Sequence, residues 1–190
     1  MESLTALLDR KKDINKLQHY LTSYSNDNKA IYIHGKQGVG KTFFIKEALN
    51  ELNYDAIIYD VSDVRNKNII DTLNSSISNV YSLLKKEKKK IAIVMDEIDG
   101  MNIGDKGGIN SLIKMIRPKK SKKENSKTSS ELPIICIGNL RVDKKIKDLM
   151  KVSNIIEIKV PTNEQMEKIV KHLFKEKDGE DLFYILHYVF

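Results

Sequence analysis

Gly35-Lys36-Gln37-Gly38-Val39-Gly40-Lys41-Thr42 is the stretch on which the reading of this 190-residue chain turns. It fits the pattern G-x-x-x-x-G-K-[ST], and a chance match in a chain of this size is on the order of 1% or less. Its surroundings suit it: the apolar run Ile31–Ile33 leads in, and a segment with helical spacing leads out. Glycines at 35, 38 and 40 let backbone N–H groups turn inward around phosphate oxygens with no side chain in the way. A helix opening near Lys41 adds the positive end of its dipole. Lys41 supplies a point charge, and the Thr42 hydroxyl can ligate Mg²⁺. The expected nucleotide-binding set is Gly35, Gly38, Val39, Gly40, Lys41, Thr42 and Phe43.

Outward from this loop, short runs rich in Ile and Val recur at Ala30–Ile33, Ala56–Tyr59, Ile91–Met95, Ile134–Ile137 and Ile155–Ile158. Most are continuously apolar, as expected of strands buried on both faces of a parallel sheet. Helical stripes lie between them: Phe44, Ile45, Ala48, Leu49 and Leu52; then Ile69, Leu73, Ile77, Val80 and Leu84; then Ile109, Leu112, Ile113 and Ile116. The spacing predicts an α/β fold, a five-stranded parallel sheet wound on both faces by helices through right-handed crossovers. An amphipathic opening helix is expected before the first strand, with Leu4, Leu7, Leu8, Ile14, Leu17 and Leu21 on its apolar side. Near the other end, Thr162 and Gln165 have capping-box spacing, and Met166, Ile169, Val170, Leu173 and Phe174 give the following helix its stripe.

Composition sets the outer bounds. With 41% hydrophobic and 31% charged residues, the chain can bury a core, and wholesale disorder is excluded. No apolar run is long enough to span a bilayer, and Leu182–Phe190 is too short. The single Cys136 can form no internal disulfide, which fits a reducing, intracellular setting, and it reads as a core residue of its apolar strand. Lys and Arg number 33 against 26 Asp and Glu, a net charge of +7 that suggests an anionic partner such as nucleic acid. The lysine-rich stretches Lys85–Lys90 and Lys119–Lys127 read as solvated surface segments.

Two further strand ends carry chemistry. Ile91-Ala92-Ile93-Val94-Met95-Asp96-Glu97 is a buried strand ending in two carboxylates. Parallel sheets bind ligands at that end, where Asp96 can hold Mg²⁺ through water and Glu97 can orient or deprotonate an attacking water. The fourth strand ends in Gly138-Asn139, and the Asn139 amide can both donate to a γ-phosphate and accept from a water.

Strand, phosphate loop, strand ending in Asp-Glu, strand ending in Asn: with these placed, the chain resembles an AAA+ ATPase, and more narrowly the large subunit of replication factor C, the eukaryotic clamp loader. The resemblance rests on Met95-Asp96-Glu97-Ile98-Asp99-Gly100-Met101, Gly107-Gly108-Ile109, Pro133-Ile134-Ile135-Cys136-Ile137 with Asn139, and Val61-Ser62-Asp63-Val64-Arg65. It runs from about Ile31 to Val160. It implies a P-loop NTPase with ATP and Mg²⁺ as cofactors, Glu97 and Asn139 as catalytic residues, and Thr42 and Asp96 on the metal. It further implies an ATP-driven ring that loads a sliding clamp onto primer–template DNA, in the nucleus of a cellular eukaryote or at a viral replication site. Small clamp-loader subunits would supply an arginine finger. Lys151-Val152-Ser153-Asn154 has no arginine where those subunits carry theirs, so this chain is expected to receive a finger and not donate one.

The family tracks DNA with helix N-termini, which fall here around Arg65, Lys67, Lys106 and Asn110, with Lys114 one turn on. Residues 1–160 are expected to form the ATP-binding base domain and 161–190 an incomplete lid-like helical segment. The sequence is too short for the full lid and collar of that family. Lys36 and Gln37 replace prolines common in its phosphate loop, and the basic segment Lys119–Glu131 is longer than its usual connection. Two alternatives remain: an origin-binding or helicase-loading ATPase, and a non-hydrolysing nucleotide-binding module of a replication complex.

Overall fold

The computed structural model describes residues 4–23, 30–60, 90–102, 108–117, 132–139 and 143–173. The chain opens with helices α1 (Leu4–Leu7) and α2 (Lys11–Thr22), followed by strand β1 (Ala30–Gly35), helix α3 (Lys41–Glu51) and strand β2 (Tyr54–Asp60). Strand β3 (Lys90–Asp96) leads into a 3₁₀ turn (Ile98–Asn102), then helix α4 (Gly108–Ile116) and strand β4 (Ile134–Asn139). Helix α5 (Lys144–Met150), strand β5 (Asn154–Glu157) and helix α6 (Asn163–Leu173) complete the described elements.

All five strands pair in parallel in the order β2-β3-β4-β1-β5. This is the five-stranded parallel α/β sheet that the apolar runs predict. Side chains alternate across a strand, so the central runs of β1, β3 and β4 feed two cores, while at the edge strand β5 Ile156 and, just past its end, Ile158 are buried and Ile155 is exposed. Ala30, Tyr32, Ile91, Ile93, Met95, Ile134 and Cys136 pack with α4 and α5 on one face. Ile31, Ile33, Ala92, Val94, Ile135 and Ile137 pack with α2 and α3 on the other. Cys136 is fully buried among apolar neighbours, which pushes its thiol up to about 12 and leaves it inert as a nucleophile. Among the described residues, no helix is long and apolar enough to cross a membrane.

One local expectation is revised and one element is added. The opening helix is two pieces, because Asp9 adopts a left-handed φ of 53° and turns the chain. Its amide bonds back to Ala6 O, and that of Arg10 to Thr5 O. The added element is α5, which the apolar pattern does not announce. Three lysines crowd its seven residues and only Ile146 and Leu149 are buried, but Asp143 caps it by accepting the Ile146 N–H at 2.8 Å. The capping box at α6 forms as expected: Thr162 N donates to Gln165 Oε1 at 3.0 Å, and Gln165 N to Thr162 Oγ1 at 3.3 Å. The stripe of Ile69–Leu84, the Val61–Arg65 box, Lys119–Lys127 and Leu182–Phe190 lie outside the described residues.

Gly35 closes β1 where β5 passes on. Ile158 N donates to His34 O at 2.7 Å, which extends the strand pairing by one step. A Cβ at Gly35 would run into the Ile158 carbonyl oxygen and come within 3.2 Å of Val39 Cγ2. Backbone cannot step aside as a side chain can. Gly35→Ala should therefore destabilise the fold by about 1–3 kcal/mol, read from the midpoint of urea denaturation.

Candidate functional site

The strand order positions the site. β4 lies between β1 and β3, so three strand ends, Gly35, Asp96 and Asn139, stand side by side on one rim of the sheet. In parallel sheets this rim, where consecutive strands part to opposite sides, forms a natural crevice. A cleft of about 340 Å³ opens there, lined by Gln37, Gly38, Gly40–Phe43, Asp96, Glu97 and Ile137–Asn139. Gly38 and Gly40 hold φ values of 81° and 77°, the left-handed region that glycine enters without strain.

Lys41 opens α3 and spans the cleft. Its Nζ donates to Gly35 O at 3.1 Å, to Lys36 O at 3.0 Å and to Asn139 Oδ1 at 3.0 Å. Burial lowers its pKa from the ordinary lysine value, while Asp99, Asp96 and Glu97 hold it up. One residue on, the Thr42 hydroxyl donates to Asp96 Oδ2 at 2.6 Å. Among the described residues no cluster of three or more His, Cys, Asp or Glu side chains gathers around a metal-sized site. One hydroxyl beside one carboxylate is the sparse donor set that suits Mg²⁺, which keeps several waters and takes phosphate oxygens as ligands.

Glu97 sits just past β3 with a left-handed φ of 52°, uncommon for a residue with a Cβ. Its peptide groups are tied down: its N–H donates to Asp96 Oδ1 at 2.9 Å, and its carbonyl accepts from Gly100 N at 2.8 Å. The exposed carboxylate lines the cleft beside Asp96. Such backbone strain, roughly 1–3 kcal/mol, persists only where the surroundings fix it, and it gathers at functional sites.

Of the predicted site residues, Gly38, Gly40, Lys41, Thr42, Phe43, Asp96, Glu97 and Asn139 all line this one cleft. Gly35 does not line the cleft but accepts from Lys41 through its carbonyl, and Val39 is buried in the core. Arg65, Lys67 and Lys106 lie outside the described residues. Asn110 and Lys114 are exposed, one turn apart on α4, with Ile109, Leu112, Met115 and Ile116 of that helix buried.

Two residues that spacing did not point to brace the site from outside the cleft lining. Asp99, on the 3₁₀ turn, accepts the Asn139 N–H through Oδ2 at 2.5 Å, tying the end of β3 to the end of β4. Burial raises its pKa, opposed by the Asn139 N–H and by Lys41. A raised carboxylate means the folded chain binds this proton more tightly than the unfolded one. Asp99 thus costs stability at neutral pH, and the cost fades as pH falls through the raised value toward the ordinary 3.8. Asp99→Asn, which keeps an acceptor for Asn139 N–H, should be neutral or stabilising at pH 7, with the difference narrowing in acid. Asp99→Ala should destabilise by about 1–3 kcal/mol because it strands that N–H. Denaturant titrations of the parent and both variants across pH would test this. The second residue is Arg10, which grips the outer side of the phosphate loop.

Residues 31–162, well over half of the chain, match the family model described as ATPase family associated with various cellular activities (AAA). The chain belongs to this family. It is homologous to replication factor C large subunits: it is 32% identical over 167 residues to replication factor C subunit 1 of Oryza sativa subsp. japonica, covering 80% of this chain and 15% of that protein. The human protein of the same name is 32% identical over 158 residues, covering 78% of this chain and 13% of its own. A replication factor C large subunit of Nanoarchaeum equitans is 28% identical over 160 residues, covering 83% and 34%. The chain thus spans a small part of the length of these relatives. Its fold is shared with a solved structure of the Aeropyrum pernix ORC2 protein in ADPNP and ADP complexes, at a TM-score of 0.61 and 11% identity over 85% of this chain and 50% of that one.

Proposed function

We propose that this chain is a clamp-loader-like ATPase subunit that binds Mg–ATP and couples its hydrolysis to loading a sliding clamp on primer–template DNA in replication or repair. The observation that carries this reading is the meeting of Lys41, Thr42, Asp96, Glu97 and Asn139 at one cleft, in a chain homologous to replication factor C large subunits. The Gly38 and Gly40 backbone and the N-terminus of α3 receive the phosphates, and Lys41 exchanges its carbonyl acceptors for phosphate oxygens. Thr42 and Asp96 hold Mg²⁺, which when bound neutralises charge on the outer phosphates. Glu97 orients the attacking water and takes its proton, and Asn139 registers the terminal phosphate through the amide that otherwise accepts from Lys41.

The remaining parts of the reading concern partners. Small clamp-loader-type subunits complete the site with an arginine finger. Asn110 and Lys114, both exposed, bind phosphates of the DNA, a role this reading also gives to Arg65, Lys67 and Lys106. The test is ATP turnover by the chain with small clamp-loader subunits, measured with and without a sliding clamp and primed DNA. Turnover is expected to rise with both. Turnover that ignores both would contradict the clamp-loading reading.

A further inference from the structure

Arg10 is a charged residue buried almost completely, at 5% exposure, and the roles above do not use it. Its Nη2 donates to the Val39 carbonyl oxygen at 2.7 Å, reaching across 29 residues of sequence to the middle of the phosphate loop. Its guanidinium carbon lies 5.8 Å from the centre of the Phe44 ring, on the first turn of α3. Among the described residues no carboxylate hydrogen-bonds to it. Asp13, one turn on, acts through its field and is itself 3.3 Å from Lys16. Burial pushes the Arg10 pKa down. Burying a cation costs stability unless it is hydrogen-bonded and paired, and the side-chain bond that Arg10 makes among the described residues is to this loop.

Peptide geometry gives that bond a consequence. The Val39–Gly40 bond is trans, so its carbonyl and its N–H point in opposite directions. Arg10 takes the carbonyl on the outer side, where it lines a separate cleft of about 460 Å³ with Leu8, Asp9, Asp13, Pro161 and Gln165. Nη1 lies 3.8 Å from where a Cβ on Gly40 would sit, so the guanidinium rests against that peptide. Gly40 itself lines the phosphate cleft, which Arg10 does not. We propose that Arg10 is a positioning residue for the phosphate loop: by holding the Val39 carbonyl outward, it turns the Gly40 N–H toward the phosphate cleft. Arg10 is in turn held by its own surroundings. Its N–H bonds to Thr5 O, and Gln165 Nε2, from the first turn of α6, donates to Leu8 O at 3.1 Å and to Asp9 Oδ2 at 3.2 Å.

The inference rests on the nucleotide reading of the cleft, and its test separates the two. Arg10→Met keeps an unbranched side chain against Phe44 and removes the donor and the charge. Affinity for Mg–ATP and for inorganic tripolyphosphate is measured by calorimetry, and thermal melting without ligand alongside. R10M is expected to weaken both ligands by roughly tenfold to a hundredfold, the value of a hydrogen bond from a charged donor, without lowering the melting temperature. A purely structural arginine would do the reverse, lowering the melt and sparing the affinity. R10K, which keeps a cation and a donor on a differently shaped head, should fall between, and it carries the test if R10M does not fold. Unchanged tripolyphosphate affinity in the variants overturns the proposal, as does a loss confined to ATP, which would make Arg10 a contact for the nucleoside. A parent that binds neither ligand sinks the nucleotide reading and this inference with it.

Discussion

Glu97→Gln is expected to leave Mg–ATP binding intact and to slow hydrolysis by about 10²- to 10⁴-fold, the range for removing a positioned general base. The substitution is close to isosteric, so the left-handed backbone at φ 52° and its two bonds, to Asp96 Oδ1 and from Gly100 N, have no reason to change. What is lost is the capacity to accept a proton. The neighbouring Asp96 does not replace it, because its two oxygens already accept from Thr42 Oγ1 and from the Glu97 N–H. Single-turnover hydrolysis beside equilibrium binding separates the two effects. Equal turnover by Glu97→Gln and parent would remove Glu97 from the chemistry; loss of binding and turnover together would make it a ligand or a structural residue.

Lys41→Met is expected to act on binding instead. The side chain keeps its length and loses three donors and the charge. Lys41 Nζ now makes three contacts, to Gly35 O, Lys36 O and Asn139 Oδ1, which hold it across the mouth of the phosphate loop. If phosphate oxygens replace two of these acceptors at about 1.5–3 kcal/mol each, affinity for ATP should fall by at least about 10²-fold. The pH dependence has a definite sign. Since burial lowers the Lys41 pKa, the parent should lose affinity as pH rises, starting below the ordinary lysine value of 10.5, whereas Lys41→Met should not show this limb. Calorimetric titrations of both proteins from neutral to alkaline pH would check it.

The fold and most of the cleft are legible in the sequence for one reason: their signals are local. Each buried parallel strand is a continuous apolar run, and the phosphate loop packs its glycines, lysine and threonine into eight residues. Asp96 and Asn139 are findable because each ends such a run. Asp99 and Arg10 act across 40 and 29 residues, through bonds to backbone atoms, and no spacing rule encodes an acceptor or donor that every residue carries. Asp9 is similar: an aspartate can adopt either sign of φ, so the break between α1 and α2 has no motif to announce it. In α5, Asp143 gives a usable capping signal, but Ile146 and Leu149 alone make too short a stripe to stand out.

Mg–ATP titration of the isotope-labelled chain, followed by backbone and side-chain amide NMR shifts, tests the nucleotide site most directly. The largest shifts are expected at the amides of Gly38, Gly40, Lys41 and Thr42 and at the Asn139 side chain, saturating at one nucleotide per chain. Shifts centred elsewhere, or none at millimolar nucleotide, would contradict the assignment of this cleft.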